Sequence, residues 1–227
     1  MRRLAAILFD LDGTLVRYHG VAFESSWGAI AAAAGVLEAS DRLLREYLPR
    51  REDYPAWVAA DAKLLEGVSV SQVSARIFPP PFADGVIEAV GLLRERYATG
   101  VISSGVELVA QRVQDDLGLG FAVANRLHIQ DGKFTGTSET FVHLWRKREV
   151  LLRIAEEHGW DPSEICYIGD HMNDVPVMPV VGLGIAVHAK DDELIRASDA
   201  VAERFDQIPE IIRRFEAGGP ARIGGSA

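Results

Sequence analysis

Near the amino terminus an unbroken apolar run, Ala5-Ala6-Ile7-Leu8-Phe9, leads into Asp10-Leu11-Asp12-Gly13-Thr14-Leu15-Val16. A run that is apolar on every side has the character of a strand buried on both faces of a parallel sheet. Gly13 lets the chain turn away just beyond the strand end. Asp10 and Asp12 then fall at the carboxyl end of a central strand, where open α/β sheets place their ligands. Two carboxylates crowded there repel each other unless a cation or a shared proton compensates. Taken alone, Asp-x-Asp-Gly is equally at home as a turn former or a helix cap. A calcium loop is excluded, because the residues at its glycine and bidentate-glutamate positions are Leu15 and Val21.

The chain has 227 residues, 48% of them hydrophobic, enough for one good-sized core or a core plus a smaller domain. Its net charge is −9, and its lysines are only Lys63, Lys133, Lys147 and Lys190. The arginines are scattered, so no basic stripe argues for nucleic acid or an anionic membrane. The single cysteine, Cys166, lies in an apolar run and cannot form an intrachain disulfide. That fits a reducing, cytoplasmic location. The apolar run at the amino terminus is too short for a membrane span or a signal peptide.

From about Val21 to Ser74 a helical period dominates. Phe23, Trp27, Ile30 and Ala31 fall on one apolar helix face, and Leu43, Leu44, Tyr47 and Leu48 on another, closed by Pro49. Trp57, Val58, Leu64 and Leu65 suggest a third helix after Pro55. Aromatic stripes at such spacing are more often core than pocket. Beyond the stiff joint Pro79-Pro80-Pro81 the chain alternates. Helices are expected over 84–97, 106–117 and 145–158. Strands are expected over 99–102, 121–124, 165–168, 183–187 and 200–201, with a hairpin turning at Asp131-Gly132. The expected fold is therefore α/β, a doubly wound, mostly parallel, Rossmann-like sheet. Residues 1–16 and 80–215 would form the core, 17–79 a small helical domain inserted after the first strand, and 216–227 a mobile tail.

Polar residues interrupt this alternation at several strand ends. Ser103-Ser104-Gly105 follows Val101-Ile102 at the expected start of a helix, where hydroxyls and free amides can bind an anion; an ordinary Ser N-cap is the simpler reading. Lys147 heads a helix, where a cation opposes the dipole unless an anion lies nearby. Asp170 and Asp174, with Asn173 between them, follow the buried run ending at Ile168. Hard oxygen donors of this kind suit magnesium.

In this order, Phe9-Asp10-Leu11-Asp12-Gly13-Thr14-Leu15, Ile102-Ser103-Ser104-Gly105, Lys147, and Gly169-Asp170 with Asn173-Asp174 resemble the four motifs of the haloacid dehalogenase superfamily. Ala124-Asn125-Arg126-Leu127, Asp131 to Gly136 and Ala186 to Lys190 resemble its phosphoserine phosphatase branch, with the helical insertion in the position of that branch's cap. The resemblance implies a phosphatase acting on a small phosphorylated metabolite, with phosphoserine the leading substrate. Asp10 would attack phosphorus to form an aspartyl-phosphate, and Asp12 would act as acid and then base. Mg2+ would be bound by Asp10, the Asp12 carbonyl and Asp170, with Asp174 holding a water of the ion. Ser103, the Ser104 amide, Lys147 and Asn173 would bind phosphoryl oxygens.

Two positions depart from that branch. Where it has a glutamate for the substrate amine, this chain has His19, with Glu24 the nearest acid further on. Where it has an arginine for the substrate carboxylate, this chain has Asp61. His19, Glu24 and Asp61 are accordingly the candidate substrate-pocket residues. A phosphotransferase using the same core, and a non-catalytic metal or phosphate binding module, are the alternatives. A dehalogenase is disfavoured by Asp12 and the further carboxylates. A dinucleotide site at Gly182-Leu183-Gly184 lacks its third glycine. No partner nucleic acid or membrane is expected, and homodimerisation stays open.

Overall fold

The structure, a computed structural model, describes residues 3–219. Strand β1 (Ala6–Phe9) is followed by four helices, α1 (Ser26–Ala34), α2 (Leu37–Tyr47), α3 (Tyr54–Leu64) and α4 (Val70–Ile77). Then come α5 (Val86–Arg94), β2 (Ala98–Val106), α6 (Glu107–Leu117), β3 (Phe121–Gln130), β4 (Lys133–Glu139) and α7 (Lys147–His158). The chain ends with β5 (Ile165–Gly169), β6 (Leu183–Val187), α8 (Asp192–Ala197), β7 (Ala200–Ala202) and α9 (Ile208–Glu216).

The strands form one sheet in the order β4-β3-β2-β1-β5-β6-β7, and every pair is parallel except β3 with β4. The all-apolar character of β1 has a direct cause. Ile7 and Phe9 pack into the layer made by α5, α6 and α9, while Ala6 and Leu8 face α7 and α8. Both faces are thus covered, as a parallel sheet requires. Strand order advances from β1 to β4 and then returns to β5 on the other side of β1. The crevice beyond β1 and β5 is therefore the topological switch point.

Helices α1 to α4 sit over that end of the sheet and join it through the β3–β4 hairpin. Gly67 N donates to Phe134 O at 2.8 Å, Phe134 N to Val68 O at 3.0 Å, and Val70 N to Gly132 O at 3.0 Å. The hairpin turns with positive φ at both Asp131 (50°) and Gly132 (73°), the geometry that favours Asp-Gly.

Some expected boundaries move. β2 continues through Ser103-Ser104-Gly105 to Val106, with its register against β3 shifting between Ile102 and Val106, so the helix begins only at Glu107. β3 is one strand rather than two, because its first half pairs with β2 and its second with β4. Phe23 does not lie on the α1 face; it occupies a 3-10 turn at φ 57° and is 44% exposed. Helix α4 had no clear signal of its own, since only Val73 and Ile77 of its eight residues are buried. Glu216 belongs to α9 and accepts bonds from Leu4 N and Tyr97 Oη. The rest of the expected tail from 220 to 227 lies outside the described residues. Among the described residues no helix is long and apolar enough to cross a membrane.

Candidate active site

Asp10 follows β1 and stays in its ladder, its amide donating to Ile168 O at 2.9 Å. The side chain is buried. Oδ1 accepts from Leu11 N at 2.7 Å, and Oδ2 lies 3.0 Å from Lys147 Nζ. The Asn173 amide approaches the same oxygen at 3.5 Å. Lys147, the first residue of α7, is wholly buried and also bonds Asp174 Oδ1 at 2.6 Å. A cation at a helix start is unfavourable alone, and here two carboxylates reverse that. Burial works against the ammonium charge, but Asp10 and Asp174 hold its pKa above the ordinary lysine value.

Asp170 and Asp174 follow β5, the strand beside β1. Asp170 accepts from Thr14 Oγ1 at 2.9 Å and pairs with Lys190 at 2.9 Å. Asp174 has both oxygens engaged: Oδ1 also takes the Tyr167 hydroxyl at 2.8 Å, and Oδ2 takes the amides of Asp170 and His171 at 3.1 and 3.3 Å. It braces the loop that carries Asp170 and Asn173. Gly13 is required for this approach, since its φ is 82° and a Cβ there would overlap the Asp170 carboxylate.

Asp12 points the other way, toward the helices. Its Oδ1 accepts Ser26 N at 2.9 Å and its Oδ2 accepts Ser26 Oγ at 2.7 Å, at the first residue of α1. Ser26 Oγ in turn accepts Val106 N at 3.0 Å. Burial pushes the Asp12 carboxyl up to about 7, against the Ser26 bonds that favour its ionised form. Burial likewise raises Asp10, against the pull of Lys147, and takes Asp170 up to about 6, against Lys190.

Carboxylate oxygens of Asp10, Asp170 and Asp174 lie within 4.8 Å of one another. The raised pKa values of Asp10 and Asp170 mean that the two lysines do not fully offset the buried negative charge. A divalent cation would offset the rest, and an all-oxygen donor set fits magnesium better than a softer ion.

Ser103 is buried, its Oγ accepting Gly105 N at 3.0 Å. The Ser104 carbonyl accepts from three side chains: Trp27 Nε1 of α1 at 3.0 Å, Tyr54 Oη of α3 at 2.9 Å and Asn125 Nδ2 of β3 at 2.9 Å. A cavity between sheet and helices is lined at its base by Asp10, Asp12, Ser103, Ser104, Asp170 and Asn173.

Asp61 also lines that cavity. His19 and Glu24 are not among its lining, which corrects the expectation for those two. The His19 side chain is 74% exposed and turns to Glu24 at 3.1 Å. Glu24 is occupied by Arg17 at 3.0 Å and Lys190 at 3.0 Å, and those hydrogen bonds overcome its burial and hold its pKa down to about 2. Thr14, Ser26, Tyr167 and Lys190 were not singled out for these contacts. Thr14 sits inside the first motif and Lys190 inside a branch-like segment, but Ser26 and Tyr167 gain their partners only through the fold.

A family model described as haloacid dehalogenase-like hydrolase matches residues 7–179. The chain belongs to that family, as a phosphatase of its phosphoserine phosphatase-like branch. It is 31% identical over 209 residues to a phosphoserine phosphatase of Methanocaldococcus jannaschii, covering 91% of this chain and 95% of that one. It is 34% identical over 189 residues to a phosphoserine phosphatase of Streptomyces coelicolor, covering 81% of this chain but 44% of that longer protein. Among solved structures, a substrate-bound phosphoserine phosphatase complex superposes with a TM-score of 0.76 at 29% identity, covering 94% of this chain and 99% of the other. A phospho-aspartyl intermediate analogue of phosphoserine phosphatase gives 0.75 at 29% identity, over 93% and 98%.

Proposed function

We propose that the enzyme hydrolyses a small phosphomonoester in two displacements, through an aspartyl-phosphate at Asp10, with the four-helix segment acting as a cap over the site. The observation that carries this reading is the buried Asp10 carboxylate held 3.0 Å from Lys147 Nζ, with a second carboxyl, Asp12, two residues on and raised to about 7.

In the first displacement an Asp10 carboxylate oxygen bonds to phosphorus as the ester P–O bond breaks, and Asp12 gives its proton to the departing alkoxide oxygen. An alkyl alcohol leaves poorly without that proton. In the second, Asp12, now ionised, takes a proton from water; the water oxygen bonds to phosphorus and the P–O bond to Asp10 breaks, releasing phosphate. A carboxyl whose pKa lies near neutrality can serve in both directions. Ser26 holds Asp12 in place. Lys147, Ser103, the Ser104 amide and Asn173 would receive phosphoryl oxygens. Mg2+, held by Asp10, Asp170 and the Asp12 carbonyl with Asp174 behind them, would supply the positive charge that lets an anionic nucleophile approach an anionic phosphate.

Relatives named phosphoserine phosphatase support phosphoserine, or a related small ester, as the first compound to try. The test is phosphate release with magnesium and with chelator, in the wild type and in Asp10→Asn. The expected outcome is magnesium-dependent release that Asp10→Asn abolishes, with hydroxylamine trapping an acyl phosphate in the wild type alone. Wild-type turnover in Asp10→Asn would end this mechanism.

A further inference from the structure

Resting on that phosphatase reading, we propose that the substrate is the phosphate ester of a small amino alcohol, carrying an ammonium or quaternary ammonium group and no carboxylate, with its cation held between Asp61 and the aromatic residues of the helical segment.

Above the reactive base, the cavity is walled by Trp27, Tyr54, Trp57 and Trp145, with Asp61 among them. Tyr54 and Trp57 meet edge to face, their ring centres 5.8 Å apart and their planes at 82°, forming an aromatic corner. Tyr54 is tied through its hydroxyl to Ser104 at 2.9 Å, which sets the corner beside the phosphate-binding turn. A group one or two carbons beyond a bound phosphate would enter this corner.

Two features decide the charge such a group must carry. The first is that, among the described residues, no free cation lines the cavity to meet an anion. Among the described residues Lys190 is the one lysine or arginine lining the cavity, and it is held by Asp170 at 2.9 Å and Glu24 at 3.0 Å. The neighbouring guanidinium groups have partners of their own: Arg51 stacks on the wall residue Trp145, 4.3 Å from its ring centre, Arg146 pairs with Glu52, and Arg17 with Glu24. None of these three lines the cavity. A carboxylate entering here would be desolvated beside Asp61 and Asp41 with nothing to pair it.

The second feature is Asp61 itself. It is 7% exposed, and its Oδ1 accepts Ser40 Oγ at 2.8 Å. The nearby Trp57 indole N–H makes no hydrogen bond of acceptable geometry. Among the described residues no cation forms an ion pair with Asp61, unlike the buried carboxylates at the base of the site. A buried carboxylate without a counterion, in a cavity lined by aromatic side chains, is what a cationic group needs: the acid attracts its charge and the rings can accept it without water. Phosphoserine carries the matching ammonium, but its carboxylate would be the unpaired anion.

The experiment compares kcat/KM for phosphoethanolamine, phosphocholine, phosphoserine, phosphoglycolate and 3,3-dimethylbutyl phosphate, the last being a neutral isostere of phosphocholine. The cationic esters are expected to exceed phosphoserine and the neutral isostere by about tenfold or more, with phosphoglycolate lowest. Asp61→Asn should collapse the ratio of phosphocholine to its isostere, and Trp57→Leu should reduce it, each variant first checked for a native melting transition. Preference for phosphoserine or phosphoglycolate, equal use of the neutral isostere, or an unchanged ratio in folded Asp61→Asn would overturn the assignment. If magnesium-dependent release is absent even from p-nitrophenyl phosphate, the phosphatase reading fails and takes this one with it. Release from that generic ester without the cationic preference overturns the pocket assignment alone.

Discussion

Lys147 and Asp61 are both charged side chains taken out of water, and the fold treats them in opposite ways. Lys147 has a carboxylate on either side, at 3.0 and 2.6 Å, so its charge is retained by partners inside the protein. Asp61 has a serine hydroxyl, and burial pushes its pKa up to about 6. A carboxyl with a higher pKa folded than unfolded costs stability when it ionises. That cost is absent below its ordinary pKa of 3.8, grows as pH rises toward 6, and is complete above. Asp61→Asn keeps the shape and an acceptor for Ser40 while removing the charge. It should therefore stabilise the protein by about 3 kcal/mol at pH 8, and by far less near pH 4. Thermal melts at the two pH values check this. A variant that gains stability while losing discrimination between charged and neutral esters is the signature of a residue kept for binding rather than for folding.

At the level of elements, the site depends on the end of β2 packing tightly against the start of α1. Gly105 makes that approach possible: a Cβ there would lie 2.5 Å from Asp12 Oδ2 and 2.6 Å from Ser26 Oγ. Gly105→Ala is expected to leave the sheet folded but to push Ser26 off Asp12, lowering kcat by about 10²-fold with a smaller change in KM. Steady-state kinetics beside a circular dichroism melt would separate this from general unfolding. The elements best legible in the sequence were those fixed by local pattern. The run before Asp10 read as a central strand because both faces of β1 are covered, and Asp131-Gly132 read as a hairpin turn because its backbone needs positive φ twice. The core cluster was legible because Asp10, Asp12 and Asp170 follow strands and Lys147 heads a helix, whereas Ser103 lies within β2. What sequence reasoning missed depends on tertiary contact. The extension of β2 through Ser103–Gly105 is set by pairing with β3, and Ser26 becomes the partner of Asp12 only when α1 folds back over the sheet. His19 was singled out by the family resemblance, but its side chain is exposed and turns to Glu24.

Across the whole molecule, the helical segment and the sheet meet in two ways: along the β3–β4 hairpin, through backbone bonds around Gly67 to Val70, and over the site, through Ser26, Trp27 and Tyr54. The first contact resembles an added strand. The second is a handful of side-chain hydrogen bonds, each worth about 1 kcal/mol, a scale at which opening for substrate entry is accessible. Tyr54→Phe keeps the ring but removes one bond to Ser104 and one partner of Asn125. It should raise KM severalfold and speed hydrogen exchange in α1 and α3 while leaving the hairpin junction protected. Mass spectrometry of exchange at matched temperature reads both. The acceptor that joins the two halves over the site is a main-chain oxygen, which every amino acid at position 104 would present alike. Substitution can therefore change this contact only from the donor side, at Trp27 and Tyr54, whereas the Ser26–Asp12 bonds depend on both side chains. The opening proposed for the helical segment can thus drift, or be engineered, in steps of a single hydrogen bond, while the groups proposed to face phosphorus stay as they are.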